Sequence, residues 1–397
     1  MRTPKPLTFV LSVLPVASML PSCAAPTLAP VSPTATPPSL DADTVTQIEA
    51  ILNQHMTENQ VPGMAMCIVK DGAVAYSRGI GVAKVGTETP ITPQTVFQMA
   101  SVSKILTAVA IMQLVEQGKI DLEARVTKYL PDFTMQGTNY VGMTVHQLLN
   151  HTSGLKDDFG HDYVPTEDPM GQAVTDLADQ YLAFYPGQGW IYSGVGYAVL
   201  GDIIATVSGM DYETYMQTHI LEPLGMTHAT FVPEKADPTL LATRHITDAS
   251  GSVVVSEEIP CDPRTQAACT LHASCEDMVR FAMFSLNRGE LDGRQVLGQE
   301  QFDKMISTTI GPAPNAPTDI FSLATAKYAL GWQVGSVGDH LIFGHAGGTP
   351  GVNTHLLVAP DDDLALVVLS NWAIEPDGWP AYHTSIESMY PLLGLER

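Results

Sequence analysis

Strand-like patterns occur near both ends of this chain, and helical patterns fill the part between them. Near the start, two apolar runs at 64–69 and 73–76 flank Asp71-Gly72, a dipeptide that favours a tight β-hairpin. Near the end, further short apolar runs are separated by Gly, Pro and Asp: 331–334, 340–343, 354–358 and 364–369. We therefore expect an α+β fold, in which an antiparallel sheet built from both termini and flanked by helices carries an inserted, mainly helical lobe.

The segment 103–117 is apolar on nearly every side and ends at Gly118. A helix without a polar face is typical of a buried central helix. Apolar spacing also predicts a first helix from Asp43, with Asp43 as its cap. Further helices are predicted near 145–150, 170–184, 196–207, 211–220, 275–288 and 381–393. The predicted sheet lobe covers about 42–100 and 270–397, and the helical lobe about 101–269.

The first 41 residues predict export. Residues 1–22 have the positive start and apolar middle of a signal peptide, and the leader is too short and proline-rich for a membrane span. Cys23 follows at a site that resembles bacterial lipoprotein cleavage sites, so it is a candidate for lipidation, although Pro21 departs from that pattern. Residues 23–41 then form a proline-rich linker. We expect the bacterial cell envelope, lipid-anchored or secreted; in a plain secreted protein, Cys23 leaves with the leader.

The composition excludes several classes of function. The chain has 42 acidic and 19 basic residues, a formal charge of −23, so binding to nucleic acid is not expected. An anionic membrane surface would also repel it, which leaves a lipid anchor as the expected route to a membrane. With 45% hydrophobic residues the chain is a folded protein with a sizeable core.

The cysteines permit more than one interpretation. Cys261 and Cys269 lie eight residues apart in a loop-like stretch and suit a disulfide, whereas Cys67 lies in an apolar run and suits a buried free thiol. Cys269, His272 and Cys275 also invite a zinc interpretation, but their spacing fits no standard zinc finger. We expect no metal and no organic cofactor.

The chemistry-bearing motif is Ser101-Val-Ser-Lys104, at the start of the apolar helix. Residues three apart on a helix share a face, so Lys104 can direct its amine at the Ser101 hydroxyl. A serine hydroxyl needs a base, and burial disfavours the charged form of a lysine. The helix start also offers backbone N–H groups to an oxyanion. The spacing by itself arises by chance about once or twice in a chain of this length.

Four further segments accompany this motif in a recognisable order. Together with 97–122 they are 148–155, 186–197, 223–226 and 344–351. The set resembles the serine β-lactamase and penicillin-binding-protein superfamily, in particular the branch of class C β-lactamases, D-Ala-D-Ala carboxypeptidases and related esterases. The resemblance runs from about residue 44 to about 390 and implies a β-lactamase/transpeptidase-like fold.

The resemblance also implies roles for individual residues. Ser101 would form an acyl-enzyme with help from Lys104, and Tyr192 would shuttle a proton. The backbone N–H groups of Ser101 and Gly348 would form the oxyanion hole. His345 and Gly347 of the same motif would contact substrate, and Ser193 would either line the site or cap a helix. His151 and Ser153 lie in a family segment but are interpreted as residues that lock a turn. The 232–268 segment is interpreted, from its loop character and not from a motif, as a flap over the site.

Two departures from the family pattern concern the substrate. Gly194 replaces the usual Asn of the second motif, and His345 replaces the usual Lys of the third. A neutral histidine is a weaker anchor for a carboxylate, so we expect an exported serine hydrolase that acts on a small acyl substrate, an ester or amide more than a β-lactam. A true β-lactamase, a non-catalytic penicillin-binding or sensor lipoprotein and a structural cell-wall lipoprotein are the alternatives.

Overall fold

We describe the protein from a computed structural model, in which residues 39–308, 327–373 and 378–396 are described. The predicted signal peptide 1–22, Cys23 and nearly all of the linker 23–41 lie outside the described residues. Export and lipidation therefore remain predictions.

The helices are numbered in chain order, and their bounds are α1 Ala42–Glu58, α2 Ser103–Glu116, α3 Val126–Tyr129, α4 Val145–Leu149, α5 Pro169–Asp176, α6 Gly194–Ser208, α7 Tyr212–Met216, α8 Glu222–Leu224, α9 Gln266–Cys269, α10 Cys275–Leu286, α11 Gln299–Ser307 and α12 Pro380–Leu392. Short 3₁₀ turns lie at Ala100–Val102, Asn139–Gly142, Leu177–Asp179, Pro233–Lys235, Pro263–Thr265 and Pro360–Asp362, and a π-helical turn lies at Gln217–Leu221.

The strands are numbered in the same way, and their bounds are β1 Gly63–Lys70, β2 Ala73–Gly81, β3 Val96–Gln98, β4 His245–Thr247, β5 Val253–Val255, β6 His272–Ser274, β7 Glu290–Leu291, β8 Arg294–Gln295, β9 Lys327–Tyr328, β10 Gln333–Val337, β11 His340–Thr349, β12 Val352–Ala359 and β13 Leu364–Ser370.

Within the described residues, seven strands form one antiparallel sheet in the order β2–β1–β13–β12–β11–β10–β9. In the first hairpin Lys70 lies opposite Ala73, and Asp71 and Gly72 turn the chain with φ of 51° and 75°. Such positive φ values at both central residues are typical of the tight hairpin turn that Asp-Gly favours. β1 also pairs with β13. The predicted fold class, with a sheet built from both ends of the chain, is confirmed.

Apolar layers cover both faces of this sheet. Alternate residues of β1 point to opposite faces, so Met66 joins a cluster with Ile48 and Leu52 of α1, whereas Cys67 joins a cluster with Phe281 of α10. Helix α12 packs on the first face together with α1. The second cluster continues into the helical part of the molecule through α2.

Helix α2 is central to the second cluster, as its sequence predicts. Every residue from Ser103 to Leu114 is buried, including the polar ones. In the part of the chain that the structure describes, no helix is both long and apolar enough to cross a bilayer.

Two helix predictions need correction. Asp43 lies within the first turn of α1, and the cap is Asp41, whose Oδ1 accepts the Thr44 N–H at 2.8 Å. The helical pattern expected at 170–184 ends by Asp179, because the backbone beyond it bonds to other loops. The Ala183 N–H donates to the Gly154 carbonyl at 2.8 Å, a contact that a continuing helix could not make.

Two disulfides join the described cysteines. Cys261 pairs with Cys269, as expected, and Cys67 pairs with Cys275. The prediction of a free thiol at Cys67 is wrong, since β1 places its side chain against the first residue of α10. Cys269 and Cys275 are each oxidised with another partner, so neither is a thiolate for zinc. Among the described residues, no group of His, Cys, Asp and Glu has the arrangement of a metal site.

The Cys67–Cys275 bond should contribute more to stability than the Cys261–Cys269 bond, because it closes a loop of 208 residues instead of eight. Replacing both Cys67 and Cys275 with Ala should lower the free energy of unfolding by about 2–5 kcal/mol. Denaturant unfolding measures this, with the Cys261→Ala/Cys269→Ala variant as the matched control. An equal or larger loss in the control would contradict the expectation.

Candidate active site

Ser101 and Lys104 lie on one face at the start of α2. Ser101 belongs to the 3₁₀ turn that leads into the helix, and Lys104 follows one turn later. The Lys104 Nζ lies 3.2 Å from the Ser101 Oγ, so the amine and the hydroxyl are within hydrogen-bond distance. This is the contact that their spacing of three residues predicts. The pair can act as a nucleophile and its base.

The Lys104 amine is almost fully buried. Lys104 is 2% exposed, and its Nζ also donates to the Ala268 carbonyl at 3.1 Å. The ring of Tyr192 lies with its centroid 4.7 Å from the same nitrogen. Because burial of an ammonium without partners is costly, these contacts hold the amine in one position beside Ser101.

Tyr192 lies in the segment that leads into α6, two residues before the helix begins. Its ring is half-buried and packs at 4.4 Å between centroids against the ring of His151. The cavity that contains Ser101 and Lys104 is lined by Tyr192 as well. The structure thus brings together the three residues that the sequence motifs single out for chemistry, although they come from separate segments of the chain.

Strand β11 borders the same cavity with its backbone. The N–H groups of a strand alternate between its two sides. The last pair between β10 and β11 joins Gln333 and Gly344. Beyond it, the Ala346 N–H still points to the β10 side, where it donates to Gln333 Oε1 at 3.2 Å. The N–H of Gly348, two residues later, faces this same side. The Ser101 N–H lies in a first helical turn, where it has no intrahelical acceptor. These two donors can receive a developing oxyanion.

The turn that carries Ser101 is strained and anchored. Ala100 has a φ of 46°, in the left-handed region that residues with a Cβ seldom adopt. The preceding residue is held from two directions, because the Met99 N–H donates to the Leu271 carbonyl at 2.7 Å and the Met99 carbonyl accepts the Thr354 hydroxyl at 2.9 Å. Surrounding contacts of this kind are needed for a strained residue to persist.

Gly347 lies against this turn instead of lining the cavity. A Cβ at this position would lie 2.3 Å from the Met99 carbonyl oxygen and 2.4 Å from the Thr354 hydroxyl. Both distances are too short for non-bonded atoms, so only glycine fits here. Gly347 therefore sets the distance between β11 and the turn of Ser101.

His345 is buried and neutral. It is 1% exposed, and its Nδ1–H donates to the Ala346 carbonyl at 2.6 Å. The other ring nitrogen, Nε2, accepts the Tyr328 hydroxyl at 3.0 Å. Burial and then the nearby charge of Lys104 lower the pKa of His345 to about 3. At physiological pH this residue supplies no positive charge for a substrate carboxylate.

Ser193 caps a helix and lies outside the cavity wall. Its hydroxyl accepts the Gly196 N–H at 3.1 Å, at the first turn of α6. The Ser193 N–H donates to His151 Nδ1 at 3.2 Å, and burial lowers the pKa of His151 well below its usual value. Ser153 Oγ accepts the Leu155 N–H at 3.2 Å. His151 and Ser153 thus make bonds within and around their turn, as interpreted from the sequence.

The cavity has a volume of about 1530 Å³ and is open to solvent. One wall is formed by 259–265, the last part of the segment expected to cover the site. Arg264 anchors this wall: its guanidinium lies 2.6 Å from Asp262 Oδ2 and 2.8 Å from Asp176 Oδ2, and it packs at 4.0 Å on the ring of Phe159. The disulfide of Cys261 closes the same segment.

Two residues near the reacting groups were missed by sequence reasoning. Tyr328 donates to His345, and Asp157 lies at the start of α6, with its Oδ1 2.6 Å from the Gly194 nitrogen. Nothing in the spacing around Tyr328 marks it. Asp157 lies two residues after the family segment 148–155, and this proximity was the available signal.

Comparison with known proteins agrees with this geometry. The family model described as Beta-lactamase matches residues 48–386. Protein flp of Staphylococcus aureus strain MW2 is 30% identical over 338 residues, which cover 84% of this chain and 64% of that protein. The chain therefore spans less than two thirds of the length of that relative.

A shorter relative and a solved structure are also similar. Penicillin-binding protein 4 of Amycolatopsis lactamdurans is 28% identical over 321 residues, which cover 80% of this chain and 83% of that protein. The octameric penicillin-binding protein homologue from Pyrococcus abyssi superposes with a TM-score of 0.75 at 28% identity, covering 89% of this chain and 78% of that one.

Gly347→Ala should push the turn of Ser101 away from β11. We expect labelling of Ser101 by a fluorophosphonate probe to slow by about 100-fold, the typical cost of losing an oxyanion-hole donor. The matched control is Gly142→Ala, since a Cβ at Gly142 meets no atom within 4 Å. Equal labelling of both folded variants, with folding checked by circular dichroism, would refute the assigned role of Gly347.

Proposed function

Because the chain belongs to the beta-lactamase family, we propose that it is a serine hydrolase that forms a covalent acyl-enzyme at Ser101. The observation that carries the proposal is the 3.2 Å contact between the Lys104 Nζ and the Ser101 Oγ at the edge of the cavity. A surface Ser–Lys pair would be solvated and mobile, whereas here the amine is 2% exposed and held by three neighbours.

In the first step, the amine form of Lys104 accepts the Ser101 proton while the Oγ attacks the acyl carbon. The electron pair of the carbonyl moves to its oxygen, which the N–H groups of Ser101 and Gly348 receive. When the intermediate collapses, the leaving group takes a proton from the Lys104 ammonium by way of the Tyr192 hydroxyl. Water then attacks the acyl-enzyme and gives its proton, by way of the Tyr192 hydroxyl, to Lys104. Lys104 returns a proton to the Ser101 Oγ as the acyl group leaves as an acid.

Within this reaction class, we propose that the substrates are esters or amides whose acyl group carries no carboxylate, in preference to carboxylate-bearing β-lactams. Neutral His345 stands where the family usually has a lysine, and its two ring nitrogens are already bonded to Ala346 and Tyr328. Gly194 offers no side-chain amide to a substrate carbonyl. The remaining basic residue of the wall, Arg264, is neutralised by two aspartates.

We also propose that the protein acts outside the cytoplasm. The two disulfides support this proposal, because such bonds persist in oxidising compartments. The predicted signal peptide 1–22 and the candidate lipidation site Cys23 agree with it. Substrate contact is then expected in the cell envelope.

The first test compares a nitrophenyl acyl ester with a chromogenic cephalosporin, using the full-length protein and Ser101→Ala. We expect ester turnover that disappears in Ser101→Ala, with little or no turnover of the cephalosporin. Efficient cephalosporin turnover would instead identify a true β-lactamase and refute the role given to Gly194 and His345. Absence of both turnover and acylation would favour a binding or sensor protein.

A second test distinguishes the role of Tyr192 in proton transfer from the role of His345. Tyr192→Phe should reduce kcat by about 100-fold or more, because it removes a proton donor from the reacting centre. His345→Ala should reduce it less and leave the pH–rate profile between pH 5 and 8 unchanged in shape, since the pKa of His345 is about 3. Equal losses, or a limb of the profile that vanishes in His345→Ala, would contradict these roles.

A further inference from the structure

Asp157 places a carboxylate where the family's second motif normally ends in a side-chain amide. Its Oδ1 accepts the N–H groups of Gly194 at 2.6 Å and Val195 at 3.2 Å, and Asp157 is exposed to the cavity. A Cβ built on Gly194 would lie 3.2 Å from this same oxygen. Because Gly194 has no side chain, a space remains beside it, and the Asp157 carboxylate lies at the edge of this space.

The space beside Gly194 links the Asp157 carboxylate to the residues around Lys104. The Cβ position of Gly194 lies 3.4 Å from the Cβ of Ala268, and the Ala268 carbonyl accepts the Lys104 amine at 3.1 Å. Gly194 also follows Tyr192 by two residues. The empty Cβ position of Gly194 is therefore within contact distance of both the Asp157 carboxylate and Ala268, the residue whose carbonyl holds the base.

The charges around the cavity favour a positive ligand. Among the described residues that line the cavity, Lys104 and Arg264 carry the lysine and arginine charges. Lys104 is hydrogen-bonded to Ser101 and Ala268. Arg264 is paired with Asp262 and Asp176. His345 is neutral. The Oδ2 of Asp157 makes no hydrogen bond with the described residues, so it can accept one from a ligand.

We propose that Asp157 binds an ammonium group of the substrate, so that the preferred substrates are esters or amides with a protonated amine next to the scissile carbonyl, as in α-amino acid esters and amides. This proposal rests on the proposed function and names its substrate class. Asp157 determines specificity through a charge-assisted hydrogen bond and is given no part in proton transfer. Such a bond corresponds to a preference of about 10-fold or more.

The test uses a pair of matched substrates that differ in one group. Phenylalanine 4-nitroanilide, as each enantiomer, is compared with its analogue in which a hydroxyl replaces the ammonium. The wild type should prefer the ammonium compound by about 10-fold or more in kcat/KM. Asp157→Asn should abolish this preference, because Asn keeps an oxygen for the Gly194 and Val195 N–H groups but loses the charge.

Asp158→Asn is the matched control, since it removes the same charge from the neighbouring position and should retain most of the preference. An equal effect of both substitutions would assign the preference to the general field of the cavity and overturn the role of Asp157. No preference in the wild type, or a preference that survives in Asp157→Asn, would overturn it as well.

Binding separates this proposal from the proposed hydrolase activity. In Ser101→Ala, calorimetry with phenylalaninamide and its hydroxyl analogue measures recognition without acylation. Tighter binding of the ammonium compound that disappears in Ser101→Ala/Asp157→Asn supports the Asp157 site even if the wild type hydrolyses nothing. Equal binding of the two compounds overturns it even if simple esters are hydrolysed.

Discussion

The buried amine of Lys104 is the constraint on which the candidate site depends. An ammonium or amine removed from water needs partners, and here they come from three parts of the chain: Ser101, Ala268 and the ring of Tyr192. The amine reaches all three partners only when α2, α9 and the segment before α6 pack around it. The reacting groups are therefore positioned by the burial that makes α2 the centre of the helical part.

Strand β11 connects this point to the sheet. Beyond its last pair with β10, the strand turns the N–H of Gly348 toward the cavity, and Gly347 allows the turn of Ser101 to approach closely. The strained φ of Ala100 persists because Met99 is bonded on both sides. Because the site lies across the junction of sheet and helices, it depends on the packing of both.

Electrostatics around the cavity differ from those expected of a carboxylate-binding hydrolase. Burial keeps His345 neutral, and paired aspartates neutralise Arg264, while Asp157 keeps one oxygen free of bonds to the described residues. The segment 259–265, most of which is half-buried, forms a wall that a disulfide and the buried Arg264 hold in place. The wall is thus a fixed part of the site in this structure.

Much of the fold follows from local sequence. Asp71-Gly72 between two apolar runs determines the first hairpin, and the apolar pattern of 103–117 determines a buried helix that places Lys104 beside Ser101 at a spacing of three residues. The spacing of apolar residues and the preferences of turn residues are properties of neighbouring positions, so they can be recognised without the rest of the chain.

Tertiary structure decided the contacts between distant segments. The bond of Cys67 to Cys275, the hydrogen bond of Tyr328 to His345 and the place of Asp157 at the start of α6 each join segments whose own sequences do not specify the partner. The apolar surroundings of Cys67 predicted burial correctly but not oxidation, because burial does not say which side chain lies opposite. The order of the family motifs indicated which residues meet at the site, whereas the charge that surrounds them depended on the packing of loops.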